Sequence, residues 1–83
     1  MDKEETPYRE KFPAGSKVRI KDKSKLEDFR RTWKFHNPIS AEQIGYAGNQ
    51  DSVVGVAFYH GGEALYELEN APGKWHEQLL ESA

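Results

Sequence analysis

Between Asp51 and Leu80 the chain reads DSVVGVAFYHGGEALYELENAPGKWHEQLL, two extended segments and a short third, punctuated by two turn signals. Val53 to Tyr59 is β-branched and aromatic, and Leu65 to Leu68 resumes after His60-Gly61-Gly62. Paired glycines accept the positive φ that a tight hairpin needs. Asn70-Ala71-Pro72-Gly73 makes a second turn, Lys74 to Glu77 holds Trp75, and Gln78 to Leu80 closes with a helical turn and a last short strand. Consecutive hairpins of this kind restrict the chain to a small antiparallel β unit. They name no chemistry.

The first strand is equally legible. Phe12-Pro13-Ala14-Gly15 is a turn that launches Ser16 to Lys21, where Val18 and Ile20 alternate with Lys17, Arg19 and Lys21. In the segment from Val53 to Tyr59, Val54, Val56 and Phe58 share one face, with Val53, Gly55, Ala57 and Tyr59 on the other. Gly55 marks a bend or bulge. Phe58, Tyr66 and Trp75 are the expected aromatic core, and Tyr66 and Leu68 point inward from the third strand.

Between the first two strands lies a longer excursion. Leu26, Phe29 and Trp33 recur at helical spacing, Ser24 and Glu27 have capping-box spacing, and His36-Asn37-Pro38 ends the helix. Ser40 begins a second helical turn that ends near Gly45 or Gly48. Residues 1–11 are charged and poor in apolar groups, so a disordered tail is expected there, followed by one domain over residues 12–83.

The expected fold is therefore mainly β, a small antiparallel barrel of about five strands with a helical insertion between the first two. The opening FPAGSKVRI, the central VVGV and the closing YEL…WHEQLL resemble the SH3-like barrel. They are similar to the barrels of the nitrile hydratase β-subunit, the ferredoxin–thioredoxin reductase variable chain and the photosystem I E subunit. That resemblance implies an accessory or docking module with no catalytic residues of its own.

Charge divides the chain. Residues 1–35 carry 11 Lys/Arg against 7 Asp/Glu, whereas residues 36–83 carry 1 against 7, within a net charge of -2. Lys17, Arg19, Lys21, Lys23 and Lys25 would line one side of an extended segment, with Arg30 and Arg31 close behind. Such a row beside aromatic rings can grip phosphates and stack bases. It equally describes a solvated edge strand protected by lysines, or a surface for an acidic protein.

Ten aromatic residues exceed what so small a core holds. Trp33, Tyr46 and Tyr59 are the expected protein-binding surface. His36, His60 and His76, joined by Glu63 or Glu77, are the available metal donors, but none has the close spacing of a metal motif. No metal and no cofactor is expected on that ground. The chain has no cysteine, no nucleophile elbow and no phosphate-cradling glycine loop, so no catalytic residue is assigned.

The N-terminus lacks the apolar stretch of a signal peptide and no apolar run matches a membrane span, so a cytoplasmic protein without membrane attachment is expected. Three functions follow as expectations: an interaction module or accessory subunit that binds another protein or an enzyme subunit, a nucleic-acid binder using the basic first strand, and a nitrile-hydratase-like enzyme subunit.

Overall fold

The computed structural model describes residues 10–59 and 63–83. Among the described residues five antiparallel strands form the fold: β1 (Lys17–Ile20), β2 (Gln50–Phe58), β3 (Ala64–Leu68), β4 (Lys74–His76) and β5 (Leu80–Ser82). Helices α1 (Lys23–Thr32) and α2 (Ala41–Ile44) lie between β1 and β2, and a single 3-10 turn, Glu77–Leu79, joins β4 to β5. The strand order is β4-β3-β2-β1-β5. The mainly β architecture with a helical insertion is thus the one expected.

Strand β2 organises the sheet because it serves two partners. Its first residues pair with β1, Ser52 opposite Lys17, and its later ones pair with β3, Val56 opposite Tyr66. The register shifts between Val53 and Gly55, so the bulge falls at the expected glycine. This bulge also corrects the predicted inward face. One extra residue inverts the two-residue alternation. Val53 is therefore buried and Val54 exposed, while Val56 and Phe58 stay on the face of their partners Tyr66 and Ala64; Val56 is half-buried, and Phe58, at the end of the strand, is 37% exposed rather than a core residue.

Both faces of β3 and β4 are covered. Tyr66 pairs with Trp75 and Leu65 with His76, so successive pairs point to opposite faces. Tyr66 and Trp75 join Val18, Ile20, Leu26, Leu79 and Leu80 in the main core. On the other face Phe29, itself a member of that core, and half-buried Trp33 lie against the His76 ring, at centroid distances of 4.8 and 5.0 Å. The insertion therefore acts as a cover. This accounts for Leu65 and His76 being buried along with Tyr66 and Leu68.

Helix α1 presents Leu26 and Phe29 to the core as its periodicity requires. Its cap is Asp22 rather than Ser24: Asp22 Oδ1 accepts from the Lys25 backbone N–H and from the Ser24 hydroxyl, at 3.0 and 3.1 Å. The helix begins two residues earlier than expected, which shifts the capping position onto the aspartate. The Lys25 N–H and the Ser24 hydroxyl hold the Asp22 carboxyl below its usual range. At α2 the expected Ser40 cap is present and closes a capping box with Gln43.

The N-terminal segment is fastened before Phe12. Of the expected tail over residues 1–11, residues 1–9 lie outside the described residues, and the Lys11 N–H donates to Tyr66 Oη at 2.9 Å. Tyr66 in turn donates to Glu77 Oε1 at 2.6 Å. Burial, then that bond to Glu77, pushes the phenol up to about 12.

Gly73 links the sheet to α2. Its φ is +85°, and an added Cβ would lie 2.9 Å from Gln43 Nε2. Gln43 is buried and cannot easily yield, since Nε2 donates to the Lys74 carbonyl while Oε1 accepts from the Ser40 N–H. Gly73→Ala is therefore expected to cost about 2–3 kcal/mol, from left-handed strain and a displaced hydrogen bond. Thermal unfolding followed by circular dichroism should show Tm lower by roughly 10–20 °C. A change under about 3 °C would mean that Gln43 swings aside without loss.

Candidate functional site

Three side chains distant in sequence converge where the insertion meets the β3–β4 hairpin. His36 comes from the connector between α1 and α2, Glu63 from the residue before β3, and His76 from the end of β4. His36 Nε2 lies 2.8 Å from Glu63 Oε1, and His76 Nδ1 lies 2.7 Å from Glu63 Oε2. One donor atom from each falls within 4.8 Å of the others. Glu63 meets no lysine or arginine among the described residues.

Local structure aims each group. Asn37 has φ 50° just before Pro38, and its carbonyl lies 2.8 Å from His76 Nε2. Trp33 Nε1 donates to the His36 carbonyl at 2.7 Å, fixing the chain where it leaves α1. The His36 ring stacks on Tyr59 at 3.6 Å with only 6° between planes. The Trp33 ring stands edge-on to both imidazoles and to Phe35, and stacks on Phe29.

Burial is graded across the group. The His76 side chain is fully buried, while His36 and Glu63 are 17% and 29% exposed. Two imidazoles and one carboxylate, closed behind and open in front, can hold a proton or a cation between them.

Of the expected protein-binding residues, Trp33 and Tyr59 are brought together through His36. Tyr46 is not part of this chain of rings; it packs half-buried against the core after α2. Phe35, expected beside the basic row as a stacking ring but not in the protein-binding set, is 69% exposed beside them. Its signal was its position: it follows the last helical contact, Trp33, and precedes the helix-breaking His36-Asn37-Pro38.

The basic row does not persist as one line. Extended structure ends at Ile20, and Lys23 and Lys25 belong to α1, so the alternation behind the expected row stops at Asp22. Arg19 pairs with Glu81 at 3.7 Å, and Lys17 donates to Ser52. Arg30, Arg31 and Lys34 instead line an open groove with Glu27 and Ile44, next to Phe35 in sequence. Arg31 is also held by Asp28.

Of the other expected donors, Glu77 is engaged by Tyr66, and His60 lies outside the described residues. No helix among the described residues is long and apolar enough to cross a membrane. The chain matches no family model, no curated protein and no solved structure.

Proposed function

We propose that the protein is a small non-catalytic interaction module of the SH3-like kind, an accessory subunit that docks an acidic segment of a partner protein. The observation that carries this reading is Phe35, a large apolar side chain 69% exposed and next in sequence to Lys34, which lines the groove with Arg30 and Arg31. An exposed aromatic next to a cationic groove suits a peptide with an apolar anchor flanked by Asp or Glu. Trp33 supports the ring from behind, which limits the entropy lost on binding. The sheet serves here as the frame that holds the insertion out.

Nucleic acid is the second reading, and the same groove separates the two. Acidic peptides with a central Leu or Phe, titrated into the full chain, should shift amide resonances from Arg30 to Phe35. Phe35→Ser should weaken that binding at least ~10-fold, the scale of a modest interface anchor. Arg30→Glu with Lys34→Glu should weaken it further and reduce its dependence on salt. Equal affinity for neutral peptides, or for the Phe35→Ser variant, overturns the docking surface. Oligonucleotide binding that falls log-linearly with salt, in the absence of peptide binding, would replace it with the nucleic-acid reading.

A further inference from the structure

We propose that His36, Glu63 and His76 bind a divalent transition-metal ion, zinc in the first instance, with one coordination position open to solvent. The proposal is independent of the docking surface and uses different residues.

Hydrogen-bond complementarity at His76 leaves one contact of the ring unsatisfied. Its Nε2 faces the Asn37 carbonyl at 2.8 Å, and a carbonyl oxygen only accepts. Nε2 therefore carries the hydrogen. In the neutral ring Nδ1 is then a lone pair, yet it faces Glu63 Oε2 at 2.7 Å. An ionised carboxylate is also only an acceptor. A lone pair and an anion cannot share that contact unless a proton or a metal ion stands between them. Because the His76 side chain is fully buried, water cannot relieve the conflict from the ring side.

A proton on His76 Nδ1 would satisfy that one contact, and a neutral His36 can donate to the same carboxylate; a metal ion would instead draw on all three groups at once. His36 Nε2 is directed at the other oxygen of the same carboxylate, at 2.8 Å. The Asn37 carbonyl behind His76 is the outer partner that metal-bound histidines characteristically have, fixing the ring and its tautomer. Two imidazoles and a carboxylate suit zinc or iron(II) rather than calcium or magnesium. With metal–ligand distances of about 2.1 Å, tetrahedral geometry separates neighbouring donors by roughly 3.4 Å. The His76–Glu63 contact would open by about 0.7 Å, within reach of a glutamate side chain that is partly exposed.

Three protein ligands with a solvent-facing fourth position is the arrangement of reactive rather than purely structural zinc sites. Here Glu63 and His36 provide the open side, while Phe29 and Trp33 close the rear over His76. The ion would also tie the insertion to the β3–β4 hairpin, so metal binding and stability are linked.

The test is zinc chloride titrated into the full chain after chelation and dialysis, read by calorimetry, thermal unfolding and the imidazole nitrogen resonances. One zinc per chain is expected, with Tm raised by roughly 10–20 °C when zinc is about 100-fold above its Kd. The His36 Nε2 and His76 Nδ1 resonances should move together, while His76 Nε2 keeps its proton. Glu63→Gln preserves shape but should weaken binding by at least the roughly 10–100-fold that loss of an outer partner costs. His36→Ala should do the same in a chain that still folds. A wild-type chain that stays folded and takes up no zinc, or shows no paired imidazole shift, overturns the proposal and leaves a proton as the sole occupant. Zinc uptake unchanged in both variants overturns it equally. The wild-type resonances decide the matter even if a variant fails to fold.

Discussion

Trp75→Ala is expected to remove about 3–5 kcal/mol of folding stability, the usual cost of emptying a large aromatic site in a close-packed core. Trp75 has no exposed surface and sits at the centre of the cluster formed by Val18, Ile20, Leu26, Tyr66 and Leu79. A domain of this size commands roughly 4–12 kcal/mol in total. With no cysteine in the chain there is no disulfide to offset the loss. Urea unfolding should therefore show a midpoint lowered by at least about a quarter and, at the low end of that range, an unfolded baseline throughout.

Trp75→Phe separates volume from polarity. The Trp75 Nε1 has no hydrogen-bond partner among the described residues, so the exchange forfeits packing without breaking a bond. A cost of about 1–2 kcal/mol is expected. If Trp75→Ala lost less than about 1 kcal/mol, the packing of β1, β3, β4 and α1 around this ring would be wrong.

Asp51→Asn is expected to be the second most damaging change. Asp51 is buried on β2 and caps the turn that follows β3. Its Oδ2 accepts from the Ala71 N–H at 2.9 Å, and its Oδ1 accepts from the Ser52 N–H at 2.8 Å and from the Asn70 side-chain amide at 3.1 Å. An asparagine keeps the shape but turns a donor toward one of these N–H groups. Leaving a buried donor unpaired in place of a charge-assisted bond costs on the order of 3 kcal/mol.

The same carboxylate sets an acid limit. Burial raises its proton affinity, but the N–H groups of Ala71, Ser52 and Asn70 outweigh burial and hold Asp51 below its ordinary value of 3.8. A lowered folded-state value means that its contribution is complete above 3.8 and disappears as pH falls through that lower value. Wild-type stability should fall below about pH 4, and the Asp51→Asn variant should lose that part of the slope. Parallel slopes for the two proteins would show that other carboxylates carry the acid transition.

Periodicity and turn chemistry were enough for the elements. Val18 and Ile20 alternate with cations, and Leu26, Phe29 and Trp33 fall on one helical face. Ser40 with Gln43 forms a cap that is wholly local. Such signals survive in sequence because the groups that satisfy them lie within a few residues.

The misplacements have an equally local cause with a wider consequence. The glycine at 55 announced a bulge but not its effect, since a single inserted residue inverts every later side chain on the strand. Val53 went inward and Val54 outward for that reason, whereas Phe58 keeps the face of Ala64 and Tyr66 and is exposed because β2 ends there. The row from Lys17 to Lys25 divided because Asp22 caps a helix instead of continuing the strand.

The sequence by itself thus determined the strands, the insertion and its helical face, because those depend on neighbours one to four residues apart. Only the tertiary structure decided the site. His36, Glu63 and His76 are separated by 27 and 13 residues, a spacing without motif value. They meet because hairpin pairing places His76 beside Leu65 and folding of the insertion brings His36 over it. Long-range contacts of that kind are set by strand register and by the burial of Phe29 and Trp33, neither of which any local pattern of residues encodes.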